Sequence, residues 1–107
     1  MDKNQVIVNV NKYALAVDEK IKPRKIILYG SYAKGNWRED SDIDVAVVVE
    51  SVKGDFLENE ALLFKLRRGI DDRIEPVLLE ESGDNGGFLS EIMKYGRVIF
   101  SQTEINV

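Results

Sequence analysis

The sequence predicts a single α/β domain in which helices and strands alternate around a small sheet of about four strands. Three observations carry this. Four short runs rich in β-formers, Lys25–Tyr29, Ile43–Val49, Arg73–Leu79 and Arg97–Phe100, are separated by segments with apolar residues at helical spacing. The second run is apolar on both faces, as expected of a central strand covered by helices on each side. A length of 107 residues allows one modest core, and no repeat, low-complexity block or linker divides it.

Between Asn4 and Lys22, the residues Val10, Ala14, Val17 and Ile21 recur at helical spacing and Pro23 stops the pattern, which predicts a helix. Its opening is ambiguous, because Val6, Val8 and Val10 alternate as in a strand and Asn9 and Asn11 are both candidate caps. After the first strand the chain turns at Gly30-Ser31 into one or two helical turns that end at Gly35. Asn36 to Ser41 is polar, carries the only Trp, and reads as a loop.

Beyond the second strand, Glu50 to Asp55 leads into a helix on which Leu57, Ala61, Phe64 and Arg68 share one face, with Leu63, Leu66 and Ile70 beside it. Pro76 has no N–H to donate, so the third strand belongs at an edge or pairs on only one side there. Glu80 to Gly87 is an acidic, glycine-bearing loop. Phe88, Leu89, Ile92 and Met93 predict a last helix that Gly96 terminates before the short final strand. Little anchors the tail from Ser101 to Val107.

Composition excludes several kinds of chemistry. With no Cys and no His, disulfides, thiolate nucleophiles and imidazole bases are absent, and any metal site must be built from oxygen donors, which favours Mg²⁺ or Mn²⁺. A net charge of −4 argues against a protein whose main task is to coat nucleic acid. No apolar run is long enough to span a bilayer and no signal-peptide pattern follows Met1, so a cytoplasmic location is expected.

The chemistry concentrates in Gly30-Ser31-Tyr32-Ala33-Lys34-Gly35-Asn36-Trp37-Arg38-Glu39-Asp40-Ser41-Asp42-Ile43-Asp44. Asp42 and Asp44, two apart at a strand start, project from one face while Ile43 points into the core. Parallel carboxylates can hold hard cations that keep open positions for phosphate oxygens. Two ions about 4 Å apart would serve both oxygens of an in-line displacement. Gly30 lets the backbone approach a phosphate and leaves N–H groups at the following helix start. Ser31 adds a hydroxyl, and Glu75 on the next strand is the best third metal ligand.

Alone, Gly-Ser is usually a turn and Asp-x-Asp a solvated strand end; their combination in a strand-turn-strand frame points to a nucleotide and metal site. Lys34 can meet a phosphate as a point charge, or can be a solvated surface Lys. Tyr32 and Trp37 can flank a base or acceptor, but packing of the loop is the stronger reading. Arg38 can neutralise a triphosphate, whereas Lys65, Arg67 and Arg68 read as the solvated face of a helix.

Gly-Ser, ten residues, then Asp-x-Asp, with Ala33, Gly35, Ser41, Val45 and Gly96-Arg97-Val98-Ile99-Phe100 around it, resembles the DNA polymerase β-like nucleotidyltransferases, especially their minimal members. The resemblance spans nearly the whole chain. It implies a mixed sheet flanked by helices, Mg²⁺ or Mn²⁺, and a nucleoside triphosphate, ATP, as donor. It further implies transfer of a nucleoside monophosphate to a hydroxyl, with Gly30 and Ser31 on the phosphates and Asp42 and Asp44 on metal.

The family's third carboxylate is commonly Asp, whereas this chain has Glu75 followed by Pro76, with Asp71 and Asp72 close by; Tyr32 and Lys34 stand where relatives often carry Arg. Minimal members are often paired with a helical HEPN-type partner as the antitoxin of a toxin-antitoxin system, modifying a tyrosine of the toxin. A homo-oligomer is compatible with the chain; sequence-specific nucleic-acid binding is not expected. The alternative is a catalytically silent module that neutralises or regulates a partner by contact.

Overall fold

An eighteen-residue helix, α1 (Lys3–Lys20), opens the computed structural model, which describes residues 3–36, 38, 41–83 and 87–101. Val6, Val10, Tyr13, Ala14 and Val17 are its buried residues, a spacing of three and four, while Val8 is half exposed. The strand-like alternation of the first valines therefore loses to the helical stripe that the core requires. Asn9 is not a cap: it lies inside the helix, and its side-chain amide donates to Oδ2 of Asp71 at 3.1 Å.

The remaining elements follow as β1 (Lys25–Tyr29), α2 (Ser31–Lys34), β2 (Ile43–Val49), α3 (Phe56–Leu66), β3 (Ile74–Glu80), α4 (Phe88–Tyr95) and β4 (Arg97–Ser101). The sheet order is β3-β2-β1-β4. β1 runs antiparallel to both β2 and β4, and β2 runs parallel to β3, so the sheet is mixed. Parallel pairing needs a crossover, which α3 supplies. Pro76 lies on the edge strand, where the missing N–H costs no ladder bond on the open side.

Strand alternation splits the core into two layers. Ile43, Val45, Val47 and Val49 pack with Ile26, Leu28 and the apolar stripe of α1 and with Leu63. Ala46 and Val48 face the other way, against Ile27, Leu79 and Ile92 of α4. The second strand is thus buried on both faces, as its composition requires.

Two details depart from expectation. Asp55 caps α3 by accepting from the Glu58 N–H at 3.0 Å, but the face that meets the core is Leu63, Leu66 and Ile70, while Leu57 and Ala61 are exposed. The reason is that Tyr13 Oη donates to the Leu63 carbonyl at 2.7 Å, which holds the C-terminal half of α3 against α1. Gly96 does end α4, through an N–H to Ile92 O bond of 2.7 Å, yet its backbone is extended rather than left-handed. What demands glycine is proximity, since a β-carbon would lie 2.6 Å from the Ile92 carbonyl oxygen. Among the described residues no helix is long and apolar enough to cross a membrane.

These two faces of α3 differ in a measurable way. Leu63→Ala is expected to lower unfolding free energy by about 2–5 kcal/mol, whereas Leu57→Ala should stay within about 0.5 kcal/mol. Urea melts of the two variants check this, and equal losses would return Leu57 to the core.

Candidate functional site

The site is assembled where β1 ends and β2 begins. Tyr29 opposes Asp44 across the antiparallel ladder, and Asp44 opposes Glu75 across the parallel one, so the three form a row over three strands. Directly opposed residues share a face of the sheet. Next to this row the chain leaves β1 through Gly30, at φ 72° and ψ −149°, a region almost closed to residues with a β-carbon. A β-carbon on Gly30 would collide with Oδ2 of Asp44 and lie 3.0 Å from its Cγ. The glycine thus brings the Gly30-Ser31 backbone into direct proximity with the carboxylate.

The short α2 then begins at Ser31, with the Lys34 N–H bonded to the Gly30 carbonyl at 3.0 Å, and Gly35 closes it in the left-handed conformation. Tyr32 is fully buried; its hydroxyl donates to the Arg38 carbonyl at 3.4 Å and accepts from Arg73 Nη1 at 3.2 Å. Packing is therefore the role the structure gives Tyr32. Trp37 lies outside the described residues.

Negative charge accumulates in this row. Burial, then the charges of Asp42 and Glu75, push the Asp44 carboxyl above the usual carboxylate value. Burial, then Asp44 and Glu75, likewise push up the Tyr29 phenol. A row in which carboxylates destabilise one another is electrostatically suited to a divalent cation, and its side-chain donors are all oxygen. The residues present therefore fit an oxygen-ligated ion, with Asp42 and Asp44 as the pair that could hold it.

The three candidates for a further carboxylate separate clearly. Asp71 is buried and accepts from Arg73 Nη2 at 3.1 Å, from the Arg73 N–H at 3.0 Å, and from Asn9. Burial alone would raise its carboxyl, but these hydrogen bonds outweigh it and hold the group below the usual value. Asp71 is thus committed to joining α1 and β3. Asp72 is exposed, and Glu75 alone is in register with Asp44.

Glu75 nonetheless has a competitor that sequence reading missed. Arg67 Nη1 stands 3.5 Å from Oε1 of Glu75 and donates to the Ile74 carbonyl at 2.7 Å, with its guanidinium 5.0 Å over the Phe64 ring. Arg67 is half-buried and does not merely solvate α3. In keeping with this pairing, among the described residues no three acidic side chains are placed to hold one metal ion together.

A pocket of about 250 Å³ adjoins the row on the β1 side, lined by Tyr29, Gly30, Lys34, Phe88, Glu91, Ile92 and Tyr95. Phe88 packs edge-on against Tyr29 at 5.9 Å, and Lys34 Nζ lies 5.5 Å over the Tyr95 ring. Helical periodicity marked Phe88 and Ile92 as packing residues only; nothing in it distinguishes a ring on the core from a ring lining a cavity. A larger cavity of about 690 Å³ lies elsewhere, between the end of α1 and the far end of β2, and touches none of the expected site residues.

A mixed four-stranded sheet flanked by helices, with a Gly-Ser turn beside an Asp-x-Asp at the start of β2, matches the fold of solved nucleotidyltransferases. The family model described as Polymerase beta, Nucleotidyltransferase matches residues 11–105, and the chain belongs to that family. A protein of Methanocaldococcus jannaschii named protein adenylyltransferase is 32% identical over 95 residues, covering 85% of this chain and 94% of the relative. A second one from the same organism is 29% identical over 79 residues, covering 72% of this chain and 79% of the relative.

Solved structures agree on the fold. A nucleotidyltransferase from Sulfolobus solfataricus superposes with a TM-score of 0.69 at 17% identity, over 94% of this chain and 84% of that one. A toxin-antitoxin protein crystallised with AMP-PNP gives 0.58 at 18% identity, over 95% of this chain and 75% of that one.

Asp44 and Asp71 should respond oppositely to pH. Because the folded carboxyl of Asp44 is raised, its contribution falls as pH rises from its unfolded value through the folded one, so Asp44→Asn should raise the melting temperature of metal-free protein at pH 7 but not at pH 3. Asp71 is lowered, so its contribution is present above the unfolded value and lost as pH falls through the folded one. Asp71→Asn should therefore cost about 1.5–3 kcal/mol at pH 7 and progressively less in acid. Thermal and urea melts across pH decide both signs.

Proposed function

We propose that this protein transfers a nucleoside monophosphate, AMP from ATP, to a hydroxyl on a protein partner. The observation that carries the reading is the close approach of Gly30 to Asp44, which sets the Gly30-Ser31 backbone directly beside a carboxylate of the Asp-x-Asp pair. Asp42 and Asp44 would hold Mg²⁺ or Mn²⁺, with Glu75 as third ligand or base. Bound there, the ions supply charge neutralisation of the phosphates and lower the pKa of a coordinated hydroxyl.

The chain's own residues do the rest. Backbone N–H groups at Gly30 and Ser31 and the Ser31 hydroxyl orient the donor's phosphates, and Lys34 adds a positive charge. The acceptor oxygen forms a bond to the α-phosphorus, the bond from that phosphorus to the bridging oxygen breaks, and pyrophosphate leaves with the electron pair. The acceptor's proton passes to Glu75 or to solvent. Glu75 would be free for this only where Arg67, 3.5 Å away, gives it up.

The names of the two archaeal relatives support adenylylation of a protein, and the toxin-antitoxin structure with AMP-PNP supports a nucleotide substrate and a partner. Within that setting the partner would be a helical HEPN-type toxin and this chain its antitoxin. A second reading, a silent module acting by contact, is favoured by one observation, the Arg67–Glu75 pair, which occupies the third carboxylate.

Incubation with labelled ATP, Mg²⁺ and proteins co-purified from native cells should transfer label, and Asp44→Ala should reduce it by roughly 100-fold or more. Mg²⁺ should raise the melting temperature of the wild type and leave Asp42→Ala, Asp44→Ala unmoved. Neutralisation of the partner by that double variant at wild-type potency, with no label transfer by the wild type, would establish the contact-only reading instead.

A further inference from the structure

We infer that the pocket between β1, α2 and α4 holds the base of the donor nucleotide, stacked among Tyr29, Phe88 and Tyr95. The inference rests on the proposed function for the placement of the phosphates and goes beyond it in assigning a separate site for the ring.

Size comes first. Sites for whole drug-sized ligands run to about 300–1,000 Å³, so a pocket of about 250 Å³ takes one ring system rather than an entire nucleotide. Its lining is aromatic and aliphatic around Phe88, Tyr95, Tyr29 and Ile92, and base-on-aromatic stacking is a favourable use of such walls. Phe88 and Tyr95 are both substantially exposed, so their rings are not consumed by the core. Among the described residues of α4 only Ile92 is buried, so the faces of Phe88 and Tyr95 left open by their contacts with Tyr29 and Lys34 remain available to a ligand.

Position then chooses between the two flat groups that the reaction brings together, the donor's base and an aromatic acceptor such as tyrosine. The row across the sheet runs Glu75, Asp44, Tyr29, and the pocket lies beyond Tyr29 on the β1 side, sharing Gly30 with the phosphate cradle. Glu75, the group suited to the acceptor's proton, is at the opposite end. An acceptor therefore approaches from the β3 edge, and the pocket is left to the donor. The lining agrees, because the Glu91 carboxylate offers an acceptor to a ring that carries an amino group, whereas a phenol whose hydroxyl has been spent on phosphorus has no proton left to donate to it.

The test compares Mg²⁺-ATP with Mg²⁺-tripolyphosphate by isothermal titration of the full chain. Phe88→Ala and Tyr95→Ala should each weaken ATP about five- to hundred-fold and leave tripolyphosphate unchanged. Adenosine without metal should shift the aromatic NMR resonances of Tyr29, Phe88 and Tyr95 in the wild type, and N-acetyltyrosinamide should not displace it. The adenosine experiment needs no catalysis, so it separates the fate of the pocket from that of the transfer reaction. Equal binding of ATP and tripolyphosphate by the wild type, equal loss of both in the variants, or displacement of adenosine by N-acetyltyrosinamide would each overturn the assignment.

Discussion

The approach of the Gly30 backbone to the Asp44 carboxylate is the contact on which the rest of the site depends. Antiparallel pairing of β1 with β2 places Tyr29 opposite Asp44, so the residue that follows Tyr29 must turn immediately beside an acidic side chain. Only glycine has both the backbone freedom and the absent β-carbon needed there. Any larger residue would push the turn off the carboxylate and with it the start of α2.

The sheet explains why a carboxylate tolerates that environment. β2 is buried along most of its length, and Asp42 and Asp44 lie at its start, where the apolar run has not yet begun. The resulting mutual repulsion with Glu75 is a cost in the isolated protein, expressed in the raised Asp44 carboxyl. Functional sites commonly retain such unfavourable electrostatics because a ligand of opposite charge relieves them. Nearby, the Asn9, Asp71, Arg73 and Tyr32 network solves a different problem: it ties α1, β3 and α2 together with every charge partnered. Asp44 and Asp71 thus have opposite characters, the one destabilised by its neighbours and the other satisfied by them.

Arg67 joins the two halves of this picture. Its place at the end of α3 follows from Tyr13 and Leu63, which hold that end of the helix against α1. From there it reaches the edge strand, where Glu75 is half exposed and in register with Asp44. A helix-packing contact on one side of the sheet therefore governs how available a carboxylate is on the other.

Much of the fold was readable in the linear chain because its signals are local. Each strand was bounded to within a residue or so, the Gly30-to-Gly35 helical turn was evident from its terminating glycines, and Pro76 marked the edge. The motif from Gly-Ser to Asp-x-Asp contains Gly30 and Asp44, which the fold brings together. What the chain could not reveal depends on contacts between distant segments: that Asn9 is tied to Asp71 and caps nothing, that α3 turns Leu63 inward and Leu57 outward, that Arg67 claims Glu75, and that Phe88 and Tyr95 enclose a pocket beside Gly30. Periodicity records that a helix has an apolar side. Which part of that side meets the sheet, and which rings remain open to a ligand, is decided only when the elements pack.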